Sequence, residues 1–154
     1  MLGMSTSGKI WLAVILALAA AIRLLASYLQ PAYVDEAFNQ FVCATGPKGI
    51  LDILRPDTHT PFLHLVMYPL TLLTDSIFVL RCPSIIFGIL TIVLNYYIFR
   101  KFYDECIALW LTAFTALSYQ LFMNDALFRP YSFLTFYRPS LAVRCIAVSS
   151  TVFA

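Results

Sequence analysis

The chain is a series of apolar runs separated by short polar breaks. Ile10 to Leu29 is nearly all apolar apart from Arg23, follows Lys9, and is long enough to cross a bilayer as one helix. Next, Val34, Ala37, Phe38, Phe41 and Val42 recur at i, i+3, i+4, i+7 and i+8, the stripe of an amphipathic helix. Asp35, Glu36, Asn39 and Gln40 lie off that stripe, so the helix is expected to rest at the membrane surface with its polar face toward water and headgroups. Thr45 to Gly49 contains Gly-Pro and reads as a turn, Ile50 to Leu54 as a short helix, and Arg55-Pro56 as its end. Pro61 suits the first turn of the next helix.

Three apolar segments then occupy 61–123. Pro61 to Leu80 contains His64 and Pro69 and is broken by Thr74-Asp75-Ser76, whereas Cys82 to Phe99 and Cys106 to Met123 are uncharged over a length just sufficient to cross, with Arg100 to Glu105 as their connector. A further apolar stretch from Tyr131 is interrupted by Arg138-Pro139 and Arg144, so 131–154 is an uncertain span. The expected fold is all-α: a polytopic membrane helix bundle with an amphipathic juxtamembrane helix after the first span, 10–29, inside an external loop at 30–60. The uncharged ending at Ala154 gives the expectation of an N-terminal fragment of a larger bundle, or of an altered C-terminal reading.

Composition agrees with that pattern. The chain is 61% hydrophobic and 12% charged, more apolar than a globule can bury, which makes it an integral membrane protein. A net charge of +2 with no basic run gives no sign of a nucleic-acid partner. Lys9 and the apolar run resemble a signal peptide, but the later apolar segments favour a retained span. Cys43, Cys82, Cys106 and Cys145 lack Cys-x-x-Cys spacing and read as small apolar residues.

Few residues could carry chemistry. Asp35 and Glu36 are adjacent carboxylates at headgroup height, able to serve as a general base, as ligands for a divalent cation, or as the acidic first turn that a helix dipole favours. Arg129-Pro130-Tyr131 places a guanidinium and a phenol around a fixed bend, suited to a phosphate or to anchoring at the membrane boundary. Arg23 can snorkel to the interface, or point inward and hold an anionic lipid headgroup. His59 and His64 are too few for a metal site, and His64 reads as a hydrogen-bonded packing residue.

Together, Asp35-Glu36-Ala37, His59-Thr60-Pro61-Phe62-Leu63, Leu80-Arg81-Cys82-Pro83-Ser84 and Phe128-Arg129-Pro130-Tyr131-Ser132 resemble, in order and spacing, the polytopic GT-C glycosyltransferases that use polyprenyl-phosphate sugars. The likeness is to the protein O-mannosyltransferase-like and lipid A aminoarabinose transferase-like groups, and it covers about Lys9 to Phe136. It implies inverting transfer of a sugar from a polyprenyl-phosphate donor to a lipid, glycan or protein hydroxyl. Asp35, with Glu36 beside it, would be the catalytic base. Arg129, Tyr131 and Arg23 would bind the donor phosphate, and His59 would belong to the acceptor or site loop. A divalent cation could assist. The implied location is a bacterial or archaeal plasma membrane, or the endoplasmic reticulum. Leu127-Phe128 stands where the family often has Glu-Ala, and Cys82 where Leu is more usual. Because the family has many more spans, the chain alone is expected to be inactive.

The resemblance requires Asp35 and Arg129 on one side of the membrane, which holds if 61–80 does not cross completely. The competing class is a transporter-like or non-catalytic membrane subunit, which would place ionisable residues deep within its spans.

Overall fold

The computed structural model describes residues 4–56, 61–128, 135–137 and 139. The elements among the described residues are, in order, α1 (Thr6–Leu29), α2 (Val34–Ala44), α3 (Gly46–Leu54), α4 (Phe62–Thr71), α5 (Ile77–Phe102), α6 (Glu105–Leu117) and α7 (Tyr119–Asp125). At 1.5 Å per residue α1 and α5 are about 36 and 39 Å long, enough for a hydrocarbon core of about 30 Å. Both are apolar enough to cross a membrane, and α6 with α7 counts as a third span if the bent pair is taken as one. The chain is therefore a helical, membrane-associated protein.

α1, α5 and the α6–α7 pair form a three-helix bundle, and α2, α3 and α4 pack on one another at the end where α1 finishes and α5 begins. The bundle is built in layers, each with a residue from all three components. Leu12, Tyr96 and Ala108 form one layer, and Ala19, Ile92 and Ala116 the next. Small alanines at these positions let the helices approach closely, which is how spans associate when lipid is as apolar as the side chains. The following layer is polar, with Arg23, Gly88 and Asp125. Cys43, Met67, Leu80 and Phe128 then join bundle and cap, while Val42, Ile50 and Leu54 hold the cap together.

Several expected boundaries move. The segment 61–80 is divided: α4 is only about 15 Å long, a turn follows, and Ile77 already begins α5. Arg100 and Lys101 belong to the last turn of α5, where the helix dipole favours cations, so the connector shrinks to Tyr103-Asp104. α3 starts one turn earlier than Ile50, because Gly46 takes φ +78° and Pro47 occupies the first helical turn. The segment 106–123 bends by 58° at Ser118 although it lacks Gly and Pro. Thr112 and Thr115 donate to the carbonyls of Ala108 (2.7 Å) and Thr112 (2.8 Å), and such side-chain bonds compete with the helical ladder and bend it.

The direction of the chain follows from these helices. Ser5, Arg100, Lys101 and Glu105 share one end of the bundle, where Glu105 accepts from the Ser5 hydroxyl and from its backbone N–H. α2 and Phe128 share the other.

Candidate functional site

The polar core at the α2 end is built around Arg81. Its Nε donates to Glu36 Oε1 at 2.7 Å and its Nη2 to Glu36 Oε2 at 2.5 Å, the two-pronged geometry in which a guanidinium matches a carboxylate. Its remaining donors reach the carbonyls of Ser27, Gln30 and Pro31 (2.5, 3.1 and 3.0 Å). Ser27 lies in the last turn of α1, Gln30 caps it and Pro31 follows, so one side chain closes a helix terminus and an ion pair together.

Glu36 is equally committed. Oε1 also accepts the Phe128 N–H at 2.8 Å, and Oε2 the Tyr33 N–H at 3.1 Å, where a carboxylate at the third helical position reaches back to the residue that begins the helix. Each oxygen thus receives two donors, which fills the acceptor sites of a carboxylate. Burial pushes the Glu36 carboxyl up. The Arg81 hydrogen bonds, the two backbone N–H groups and the Arg81 charge together outweigh burial and hold it below the ordinary value.

One turn along α2, Asn39 Nδ2 donates to the Phe128 carbonyl at 2.9 Å, and its Oδ1 faces His64 Nε2 at 3.0 Å. Glu36, Asn39, His64 and Arg81 are all buried. The orientation of α2 therefore differs from the expected one. Glu36 and Asn39 face inward, while Val34, Phe38 and Phe41 of the apolar stripe are exposed and only Val42 is buried. Lipid can cover the outward apolar face, and buried Arg81 supplies what the polar face would otherwise seek from water. Asp35, about 100° around the helix from Glu36, is exposed.

Arg23 neither snorkels nor is open to a headgroup. It is 1% exposed, with Nε donating to Asp125 Oδ2 at 2.9 Å and Nη1 to the carbonyls of Ala19 (3.3 Å) and Ala116 (3.1 Å). The break at Ser118 removes the helical partner that the Ala116 carbonyl would have in a straight helix, and Arg23 takes its place. The expected phosphate-binding role of Arg23 thus meets a side chain already used inside the bundle.

His59, Arg129 and Tyr131 lie outside the described residues. Of the expected site residues, the structure therefore describes Asp35, Glu36 and Arg23, and it separates them into an exposed acid and two members of buried ion pairs. Four residues absent from the expected site, Asn39, His64, Arg81 and Asp125, complete its polar framework. For Arg81 and Asp125 the signal was present in the sequence, because charges isolated in apolar surroundings require partners of opposite sign. His64 is the hydrogen-bonded packing residue expected. Among the described residues, no group of three His, Cys, Asp or Glu side chains is placed to hold a metal ion. Cys43 is buried, and burial raises its thiol to about 11, which leaves it a packing residue rather than a nucleophile.

Comparison with family models, curated proteins and solved structures found no match to the chain.

Proposed function

We propose that this chain is the N-terminal portion of a membrane glycosyltransferase of the GT-C kind, using a polyprenyl-phosphate sugar. One observation carries the proposal: Glu36 accepts the N–H of Phe128, so the helix bearing Asp35 meets Phe128, the residue that precedes Arg129 in the sequence, at one end of the bundle. This supports a reading in which a base on that helix and a phosphate-binding group following Phe128 act on one sugar from the same side of the membrane.

In this scheme Asp35 takes the proton of an acceptor hydroxyl on a lipid, glycan or protein. The acceptor oxygen forms a bond to the anomeric carbon as the bond from that carbon to the phosphate oxygen breaks, with inversion, and polyprenyl phosphate leaves. Arg129 and Tyr131, with or without a divalent cation, neutralise the departing phosphate. His59 lies on the acceptor side. Glu36 has its acceptor sites filled and serves as the anchor of α2, so the base is Asp35 alone. Arg23 belongs to the bundle framework. The membrane is a bacterial or archaeal plasma membrane or the endoplasmic reticulum.

In a full-length context, Asp35→Asn is expected to abolish turnover while donor binding is kept; retained turnover rules out Asp35 as the base. The 154-residue chain alone is expected to be inactive, and sugar transfer by the purified chain would contradict that.

The Arg23–Asp125 pair inside the bundle favours a second reading, a transporter-like or non-catalytic subunit. Photolabelling by a polyprenyl-phosphate probe, competed by unlabelled donor, supports the enzyme; labelling without competition supports the subunit.

A further inference from the structure

The two buried ion pairs lie at different depths in the bundle. Asp125 meets Arg23 at the level of Gly88, and Arg81 meets Glu36 from a position two turns earlier on α5, about 10 Å away along the helix axis. The side chains facing that interval are polar. Ser27 and Gln30 follow Arg23 at i+4 and i+7 on α1, and Ser84 follows Arg81 at i+3 on α5, so they share the inward faces of the two arginines. The main-chain carbonyls of Ser27 and Gln30 both accept from Arg81 Nη1, which gathers the three residues beside one guanidinium.

Ser27 and Ser84 are buried, and their hydroxyls, with Gln30 Oε1, are shielded from solvent without a hydrogen-bond partner among the described residues. A hydroxyl within a helix ordinarily donates to the carbonyl one turn back, as Thr91 does to Phe87 (2.8 Å) and Thr112 to Ala108 (2.7 Å) in the same bundle. Ser27 and Ser84 do not. The Gln30 amide nitrogen donates to Met123 Sδ at 3.1 Å, a weak acceptor.

A buried polar atom left without a partner costs more than an ordinary hydrogen bond contributes. Three such atoms in one interval describe a site for a ligand that is small, neutral and able both to accept and to donate. Charge is already balanced, since each guanidinium faces one carboxylate, so the site does not call for an ion. Water has the matching valence: two lone pairs for the serine hydroxyls and a proton for the Gln30 oxygen, which are the three bonds an internal water ordinarily makes.

We propose that a water molecule is bound between α1 and α5 in this interval, held by Ser27, Ser84 and Gln30, so that polar groups run unbroken from the Arg81–Glu36 pair to the Arg23–Asp125 pair. Neither functional reading assigns anything to these residues. The water solvates charges that lipid cannot, which lowers the cost of keeping two arginines inside the bundle.

The test uses the whole chain in liposomes with two readouts. The first is water-edited solid-state NMR with isotope-labelled serine and alanine, which detects transfer of magnetisation from water to each labelled residue. Early transfer is expected to Ser27 and Ser84 and not to Ala19 in the adjoining apolar layer. Ser27→Ala is expected to abolish transfer to Ser84, and Ser84→Ala transfer to Ser27. The second is thermal unfolding, where each single substitution is expected to lower the melting temperature by about 2–4 °C, the scale of one lost hydrogen bond. The double variant should lose about as much as one single variant, because both remove the same water. No transfer to the two serines in the wild type overturns the site. So does an unchanged or raised melting temperature in either single variant, the result expected when a hydroxyl has no water to lose. Transfer to Ser84 that survives Ser27→Ala overturns the shared water.

Discussion

Replacing Glu36 by Gln tests the framework most directly. The substitution keeps volume but removes the charge opposite Arg81 and puts an amide NH₂ where donors already converge from Arg81, Tyr33 and Phe128. Removing one partner of a buried ion pair costs about 3–5 kcal/mol. Arg81 retains the carbonyls of Ser27, Gln30 and Pro31, which places the loss near the lower end, about 3 kcal/mol. For a chain of this size that is a fall in melting temperature of about 6–12 °C, measurable by thermal unfolding in detergent or nanodiscs.

The double variant Glu36→Gln/Arg81→Met should be much less destabilised than the sum of its parts, since it removes the charge that Glu36→Gln strands. The pH dependence has a defined sign. Because the folded pKa of Glu36 lies below its ordinary value, its contribution is complete above the unfolded pKa of about 4.3 and is lost as pH falls through the lower folded value. Wild type should lose this increment of stability on acidification, and Glu36→Gln should lack that part of the profile. A melting shift under about 2 °C, with additive single substitutions, would refute the reasoning.

Two further outcomes follow from geometry. A Cβ at Gly88 would collide with the Asp125 carboxylate and lie 2.9 Å from Asp125 Cβ, so Gly88→Ala should displace Asp125 from Arg23 and cost about 2–4 kcal/mol. At Gly8 the crowding atoms include the far end of the Glu105 side chain, which can swing away, so Gly8→Ala should cost less in the same unfolding assay. In sealed vesicles, an impermeant thiol reagent should reach introduced cysteines at positions 35 and 129 from one side and at position 103 from the other; different sidedness at 35 and 129 would refute the shared end.

Much of this protein is written in its residue pattern. Hydropathy alone marks α1 and the core of α5, and a 3.6-residue period marks α2, because those signals depend on a segment and its solvent rather than on other segments. Pro61 locates a helix start for the equally local reason that proline lacks an N–H, whereas Gly46-Pro47 reads as a turn and proves to be the first turn of α3. The shared end of Asp35 and Phe128 was legible indirectly, through the short and interrupted segment 61–80.

What tertiary structure decided is where each face points and which charge meets which. Periodicity gives α2 two faces but cannot say whether its polar one meets water or a buried arginine 45 residues away. Arg23 reads as an isolated cation until the bend at Ser118 brings Asp125 to it across 102 residues. An isolated charge in an apolar run shows that a partner is needed, and only the packed bundle selects one, because pairing depends on distance in space and not along the chain.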